Sequence, residues 1–104
     1  MTTRRLSFRA IVVHEGGEWV AHCLDLDIVS TASTPERAMD ELAEAVGAQF
    51  WYARNHDNFG YLFHPAPAEA WQKLGEILRG PYRTIVRQID DSDREVSLEA
   101  QLAA

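Results

Sequence analysis

The sequence predicts one α+β domain over residues 1–104, a small antiparallel sheet packed on a helix. Three observations carry that reading. Residues 6–14 and 19–26 are two strand-like runs joined through Gly16-Gly17. A stripe of Met39, Leu42, Ala43, Val46, Phe50 and Ala53 then recurs at helical spacing. Near the end of the chain, Val96, Leu98, Ala100 and Leu102 alternate with polar residues, the period of a half-buried strand.

A Gly-Gly pair between two strand-like runs specifies a tight hairpin. With the turn at Gly16-Gly17, His14 faces Trp19, Val12 faces Ala21 and Ala10 faces Cys23. One face then carries Phe8, Ala10, Val12, Trp19, Ala21 and Cys23, several of them small enough for a helix to approach closely. The other carries Arg9, Ile11, Val13, Val20, His22 and Leu24. Residues 28–32 read as a third short strand, so the order is β-β-β-α over residues 6–54.

Thr34 is placed to cap the helix and Pro35 suits its first position. Asp40, Glu41 and Glu44 fall mostly off the apolar stripe, toward water. Trp51 and Tyr52, in the last turns, are not accounted for by the stripe. Residues 55–63 read as a loop leading into a brief extended piece, and Pro65 and Pro67 interrupt regular structure. Residues 68–78 read as a second helix with Trp71, Leu74, Ile77 and Leu78 inward, ended by Arg79-Gly80-Pro81. Residues 82–89 are strand-like and 90–94 form a polar turn.

Ile11, Val13, Val20 and Leu24 gain no cover from the first helix in this register, and an apolar surface of that kind is normally covered. With Trp51 and Tyr52 they form a candidate oligomer interface. A homodimer or higher even oligomer would bury one of these surfaces by two-fold symmetry.

The charge balance narrows the partner. With Lys and Arg at 10 and Asp and Glu at 16, the net charge is −6. One Lys and nine Arg are spread along the chain. Binding to phosphate backbones needs clustered cations, so an acidic chain suits a basic protein better than nucleic acid. The single cysteine, Cys23, excludes an intramolecular disulfide. No signal segment or long apolar run follows Met1-Thr2-Thr3-Arg4-Arg5-Leu6, and the cytoplasm is the expected compartment.

Few residues suggest chemistry. His14, His22, His56 and His64 match no metal-ligand spacing. Asp25 and Asp27 are two apart, so an extended chain would aim both carboxylates the same way, as a divalent metal requires. A metal-dependent nuclease would need further carboxylates, and turn-region acids meeting solvent or a basic partner are the simpler reading. Cys23 has no local base or oxyanion motif and reads as a small core residue. Ser30, Thr31, Ser33 and Thr34 include no nucleophile elbow, and Gly16-Gly17 is a hairpin turn with no phosphate loop around it. Trp51, Tyr52, Phe59, Tyr61 and Phe63 form an aromatic patch that, on an acidic chain, suits a core edge or protein interface. No catalytic residue, metal or cofactor is assigned.

The run Trp19-Val20-Ala21-His22-Cys23-Leu24-Asp25-Leu26-Asp27-Ile28, followed by Thr34-Pro35-Glu36-Arg37-Ala38, resembles the HicB-like antitoxin family. That family has an aromatic, an alanine and a cysteine at alternate positions of its second strand. A short acidic-and-leucine turn, a third strand and a Thr-capped helix follow. Phe8-Arg9-Ala10-Ile11-Val12 and Gly16-Gly17 fit its first strand and hairpin, and the resemblance covers residues 6–54. Many members carry Pro after the cysteine and Pro-Gly after the leucine, where this chain has Leu24 and Asp27-Ile28. The resemblance implies a fold akin to a cut-down RNase H-like domain. It implies a function by binding: occlusion of a small basic, RNA-cleaving HicA-like toxin. The partner-facing acids would be Asp25, Asp27, Asp40, Glu41 and Glu44. Many members add a C-terminal DNA-binding module. None is recognisable here, where Asp90, Asp91, Asp93, Glu95 and Glu99 make the region acidic, which speaks against operator binding. A stand-alone homo-oligomeric scaffold or ligand-binding relative with no toxin is the alternative.

Overall fold

Strands β1 (Arg4–Glu15) and β2 (Glu18–Cys23) form the hairpin that Gly16-Gly17 specifies. Both glycines have positive φ, 57° and 82°, the backbone a two-residue turn between twisted strands requires. The register is the expected one: Ala10 faces Cys23, Val12 faces Ala21 and His14 faces Trp19. Our computed structural model describes residues 4–91 and 94–104.

Strand β3 (Ile28–Ala32) pairs antiparallel with β2. Helix α1 (Pro35–Asn55) starts as its sequence dictates, with Thr34 extended and its side chain accepting the Arg37 N–H at 3.1 Å. After a 3-10 turn at Phe59–Tyr61 come α2 (Ala68–Arg79), β4 (Tyr82–Ile89) and β5 (Arg94–Ala103). The turn expected over 90–94 falls partly outside the described residues, as does the Phe59 side chain.

The five strands form one sheet in the order β3-β2-β1-β5-β4. The sheet is larger than expected, and mixed where an antiparallel one was expected. β5 returns beside β1 and runs parallel to it, with Phe8 beside Leu98 and Ala10 beside Ala100, while β4 pairs antiparallel with β5. The parallel pair follows from the route of the chain: two helices separate β1 from β5, and parallel neighbours need such a long connection.

The main core lies between the sheet and α1. Ala10, Ala21, Cys23 and Ala100 form a floor of small, fully buried side chains, and Met39, Leu42, Val46 and Phe50 descend onto it. Val96, Leu98 and Leu102 complete it from β5. A Trp in place of Ala21 would have to displace α1, and Ala21→Trp should cost about 1–3 kcal/mol or more. An unchanged melting temperature would contradict this placement of α1.

The opposite face is the main correction to the sequence reading. Ile11 and Leu24, expected to be uncovered, are buried within the chain by α2. Leu74 and Ile77 pack on them together with Ala66, and Val13, Ala70 and Trp71 lie at the margin. The Ala66 N–H donates to the Leu24 carbonyl at 2.7 Å and holds the approach to α2 against the end of β2. Leu78, expected inward, is 42% exposed, beside an open pocket that it lines with Ser7, Arg9, Glu99 and Gln101 of the sheet.

Candidate partner-binding surface

The five acids singled out in the sequence separate into two groups. Asp25 and Asp27 lie in the turn after β2. The turn is not extended, so the premise that both carboxylates point the same way does not hold. Asp25 Oδ2 accepts the Arg9 backbone N–H at 2.7 Å, one step from the Leu24 N–H that donates to the Arg9 carbonyl at 2.8 Å. Its carboxylate extends the β1–β2 ladder into the turn. Asp27 has φ 54° and accepts the His22 Nε2–H at 2.7 Å. Asp tolerates this left-handed conformation better than most residues. Among the described residues, no three or more His, Cys, Asp or Glu side chains are grouped so as to hold a metal ion.

Cys23 sits at the base of this turn. Burial pushes its thiol pKa to about 11, with the charge of Asp25 adding and backbone N–H groups of Leu26 and Asp25 partly offsetting. The unfolded chain loses the thiol proton at lower pH than the folded chain does. Stability held by the neutral thiol is therefore complete below about pH 9 and declines as pH rises toward 11. The two-unit difference corresponds to at most about 2–3 kcal/mol. Cys23→Ala should flatten the alkaline limb of the stability curve, and the native thiol should resist alkylation at pH 8 until the chain unfolds. Rapid native-state labelling would contradict this.

Asp40, Glu41 and Glu44 lie on the exposed side of α1. Asp40 is held by Arg87 Nε at 2.6 Å, and one turn earlier Glu36 is held by Arg83 Nη2 at 2.9 Å. Glu36 lies below the usual carboxylate range, first through its own backbone N–H at the helix start and then through Arg83. These long-range pairs run from α1 to β4, over the buried contact that Ile85 and Ile89 make in the core.

Farther along α1, the helix and the end of β4 leave a groove of about 370 Å³ lined by Ala43, Glu44, Gly47, Trp51, Gln88 and Asp90. Sequence reasoning found Glu44 and Trp51 but not their meeting with Asp90, because the helix and the strand are distant in sequence. Gly47 keeps the groove open where the helix would favour another residue. A Cβ there would meet only Ile89 Cγ2, at 3.7 Å. Trp51 is 63% exposed and forms one wall. An exposed indole that shares a groove with two acidic residues has the chemistry to receive a cation, since aromatic faces attract a guanidinium and carboxylates accept its N–H groups.

The other expected interface residues fall elsewhere. Tyr52 is exposed and stacked on His56, with centroids 4.0 Å apart. Val13 and Val20 are partly covered. Phe63 reaches back to Phe8, centroids 6.2 Å apart, at the edge of the core. No helix among the described residues is long and apolar enough to cross a membrane.

The chain matches no known protein-family model, no curated protein and no solved structure. The surface must therefore be read from its own chemistry.

Proposed function

We propose that this chain is a cytoplasmic protein-binding module of the HicB-like antitoxin type, which holds a small basic, RNA-cleaving HicA-like toxin and occludes its active site. The observation that carries the reading is the groove between α1 and β4, which Trp51 lines together with Glu44 and Asp90. An RNA-cleaving protein must present Arg and Lys to hold phosphates. An Arg of that surface fits the groove, stacking on Trp51 at a gain of about 0.5–2 kcal/mol and pairing with the acids beside it. The β-β-β-α order, with Ala21 and Cys23 beneath the helix, agrees with the family resemblance in residues 6–54.

In this reading the acids divide into two groups. Glu41 and Glu44 are exposed, and together with Asp90 they supply the steering charge. Asp25, Asp27 and Asp40 are held within the chain and contribute a weaker, more distant field. Steering of this kind mainly raises the association rate, while the Trp51 contact governs dissociation. Binding requires no cofactor and no metal.

The reading is tested by affinity capture from the native host, with the tagged chain compared against Trp51→Ala and Glu44→Gln. Wild type should retain a small basic protein, Trp51→Ala should lose it on washing, and Glu44→Gln should capture it more slowly. Equal retention by all three variants, or capture of no basic protein, would sink the proposal.

A further inference from the structure

The face of the sheet that α2 packs against holds a polar pocket of about 340 Å³, lined by Ser7, Arg9, Leu78, Tyr82, Glu99 and Gln101. Ser7 and Arg9 alternate along β1 with Ile11, which α2 covers. On β5, Glu99 lies beside Arg9 and Gln101 beside Ile11. Tyr82 opens β4 and Leu78 belongs to the last turn of α2, so three strands and the end of a helix meet there. The pocket shares no residue with the Trp51 groove, and what it binds is independent of the toxin reading.

Two Arg–Glu pairs stand side by side on β1 and β5, and they differ. Arg5 closes on Glu95 at 2.9 Å. Arg9 and Glu99 occupy the same relation farther along the strands, yet they do not close. Glu99 Oε1 instead accepts the Gln101 Nε2–H at 3.0 Å, and the same nitrogen donates to Thr84 Oγ1 at 3.4 Å. Gln101 is 7% exposed, so a buried amide holds the Glu99 carboxylate in place. Among the described residues, no carboxylate pairs with the Arg9 guanidinium. Opposite charges thus line one pocket without meeting. Leu78 and Tyr82, both exposed, give that pocket an apolar side.

We propose that this pocket binds a free α-amino acid with an apolar side chain. The Arg9 guanidinium takes the ligand's carboxylate through paired N–H groups. Glu99 accepts the ligand's ammonium N–H groups, with the Gln101 carbonyl as a second acceptor. The ligand's side chain rests against Leu78 and Tyr82, which removes apolar surface of all three from water.

The charges select this class of ligand. A simple anion drawn to Arg9 is repelled by Glu99, and a simple cation drawn to Glu99 is repelled by Arg9. An α-amino acid carries both charges on one carbon, and so bridges groups on neighbouring strands about 4.7–4.9 Å apart. The volume lies at the small end of the range for ligand pockets, as suits a ligand of few atoms.

The test is isothermal titration calorimetry of the full chain with leucine and phenylalanine. Each is compared with its amide, which lacks the carboxylate, and with its N-acetyl form, which lacks the ammonium. At least one of the two amino acids should bind with a Kd on the order of 1 mM or tighter, within reach of a ligand of so few atoms. Both blocked forms should bind about tenfold more weakly or worse, since each loses hydrogen bonds to a charged group. Arg9→Gln and Glu99→Gln should weaken the free amino acid by a similar factor while keeping the wild-type circular dichroism. Arg9→Gln leaves the backbone N–H that Asp25 accepts, and Glu99→Gln leaves an acceptor for Gln101. Should either variant fail to fold, the blocked ligands decide on the wild-type chain. No binding of leucine or phenylalanine, a blocked form binding as tightly as the free amino acid, or binding indifferent to either substitution would overturn the proposal.

Discussion

Phe50→Ala should lower the free energy of unfolding by about 3–5 kcal/mol, the usual cost of emptying a fully packed aromatic site. Phe50 is 1% exposed, the largest of the fully buried side chains, and its ring lies 5.8 Å from that of Phe8, tilted at 45°. Phe8 in turn lies 6.2 Å from Phe63, so three mutually tilted rings join α1, β1 and the segment before α2. Val46, Val96 and Leu98 belong to the same buried core, and their places in a helix and in strands limit how far it can collapse. A domain of this size has a total stability of roughly 5–15 kcal/mol, so the variant should be marginal at 37 °C. Urea denaturation followed by circular dichroism measures the loss. A change below about 1.5 kcal/mol, the range for a volume-conserving swap, would mean that Phe50 is not part of the packed core.

The second large effect is expected at the far end of α1. Arg54 forms an ion pair with Asp91, just past the end of β4. The Asp91 side chain is 2% exposed, while Arg54 keeps 31% of its surface in water. Asp91→Ala removes the buried carboxylate that faces Arg54, a guanidinium that has already lost most of its solvent. Removing one member of a fully buried pair costs about 3–5 kcal/mol. The partial exposure of Arg54 reduces this, to about 2–4 kcal/mol. Arg54→Leu should cost less than Asp91→Ala if the aliphatic chain fills the space. The double variant should be more stable than the sum of the two single losses implies, because the charges are then removed together. Strict additivity would show that the pair is not coupled. Asp90, next to Asp91, lines the groove with Trp51, so loosening this pair should also weaken binding there.

The parts of the fold legible in the sequence are those set by local rules. Gly16-Gly17 demands a positive-φ turn, and a period of two then assigns every residue of β1 and β2 to a face, down to the Ala10–Cys23 pairing. The Thr34 cap and the stripe from Met39 to Ala53 define α1 in the same way. The alternation at Val96, Leu98, Ala100 and Leu102 marks β5 as a strand but carries no information about its neighbour. Its parallel pairing with β1 depends on the route of the chain through both helices. For the same reason Leu74 and Ile77 read as an inward stripe without a stated target. Ile11 and Leu24, which the sequence assigns to an oligomer interface, are that target. The groove shows the same limit: Glu44 and Trp51 are conspicuous in sequence, while Gln88 and Asp90 come beside them only because Ile85 and Ile89 of β4 share the core with α1.

The central claim is that the chain silences an RNA-cleaving partner by holding a basic side chain in the Trp51 groove. It is tested most directly by RNA cleavage with the basic protein captured from the host. An equimolar amount of wild-type chain should suppress cleavage, and Trp51→Ala with its fold intact should leave cleavage largely unsuppressed. Cleavage that continues unchanged with the wild-type chain bound, or suppression equally complete with Trp51→Ala, would contradict it.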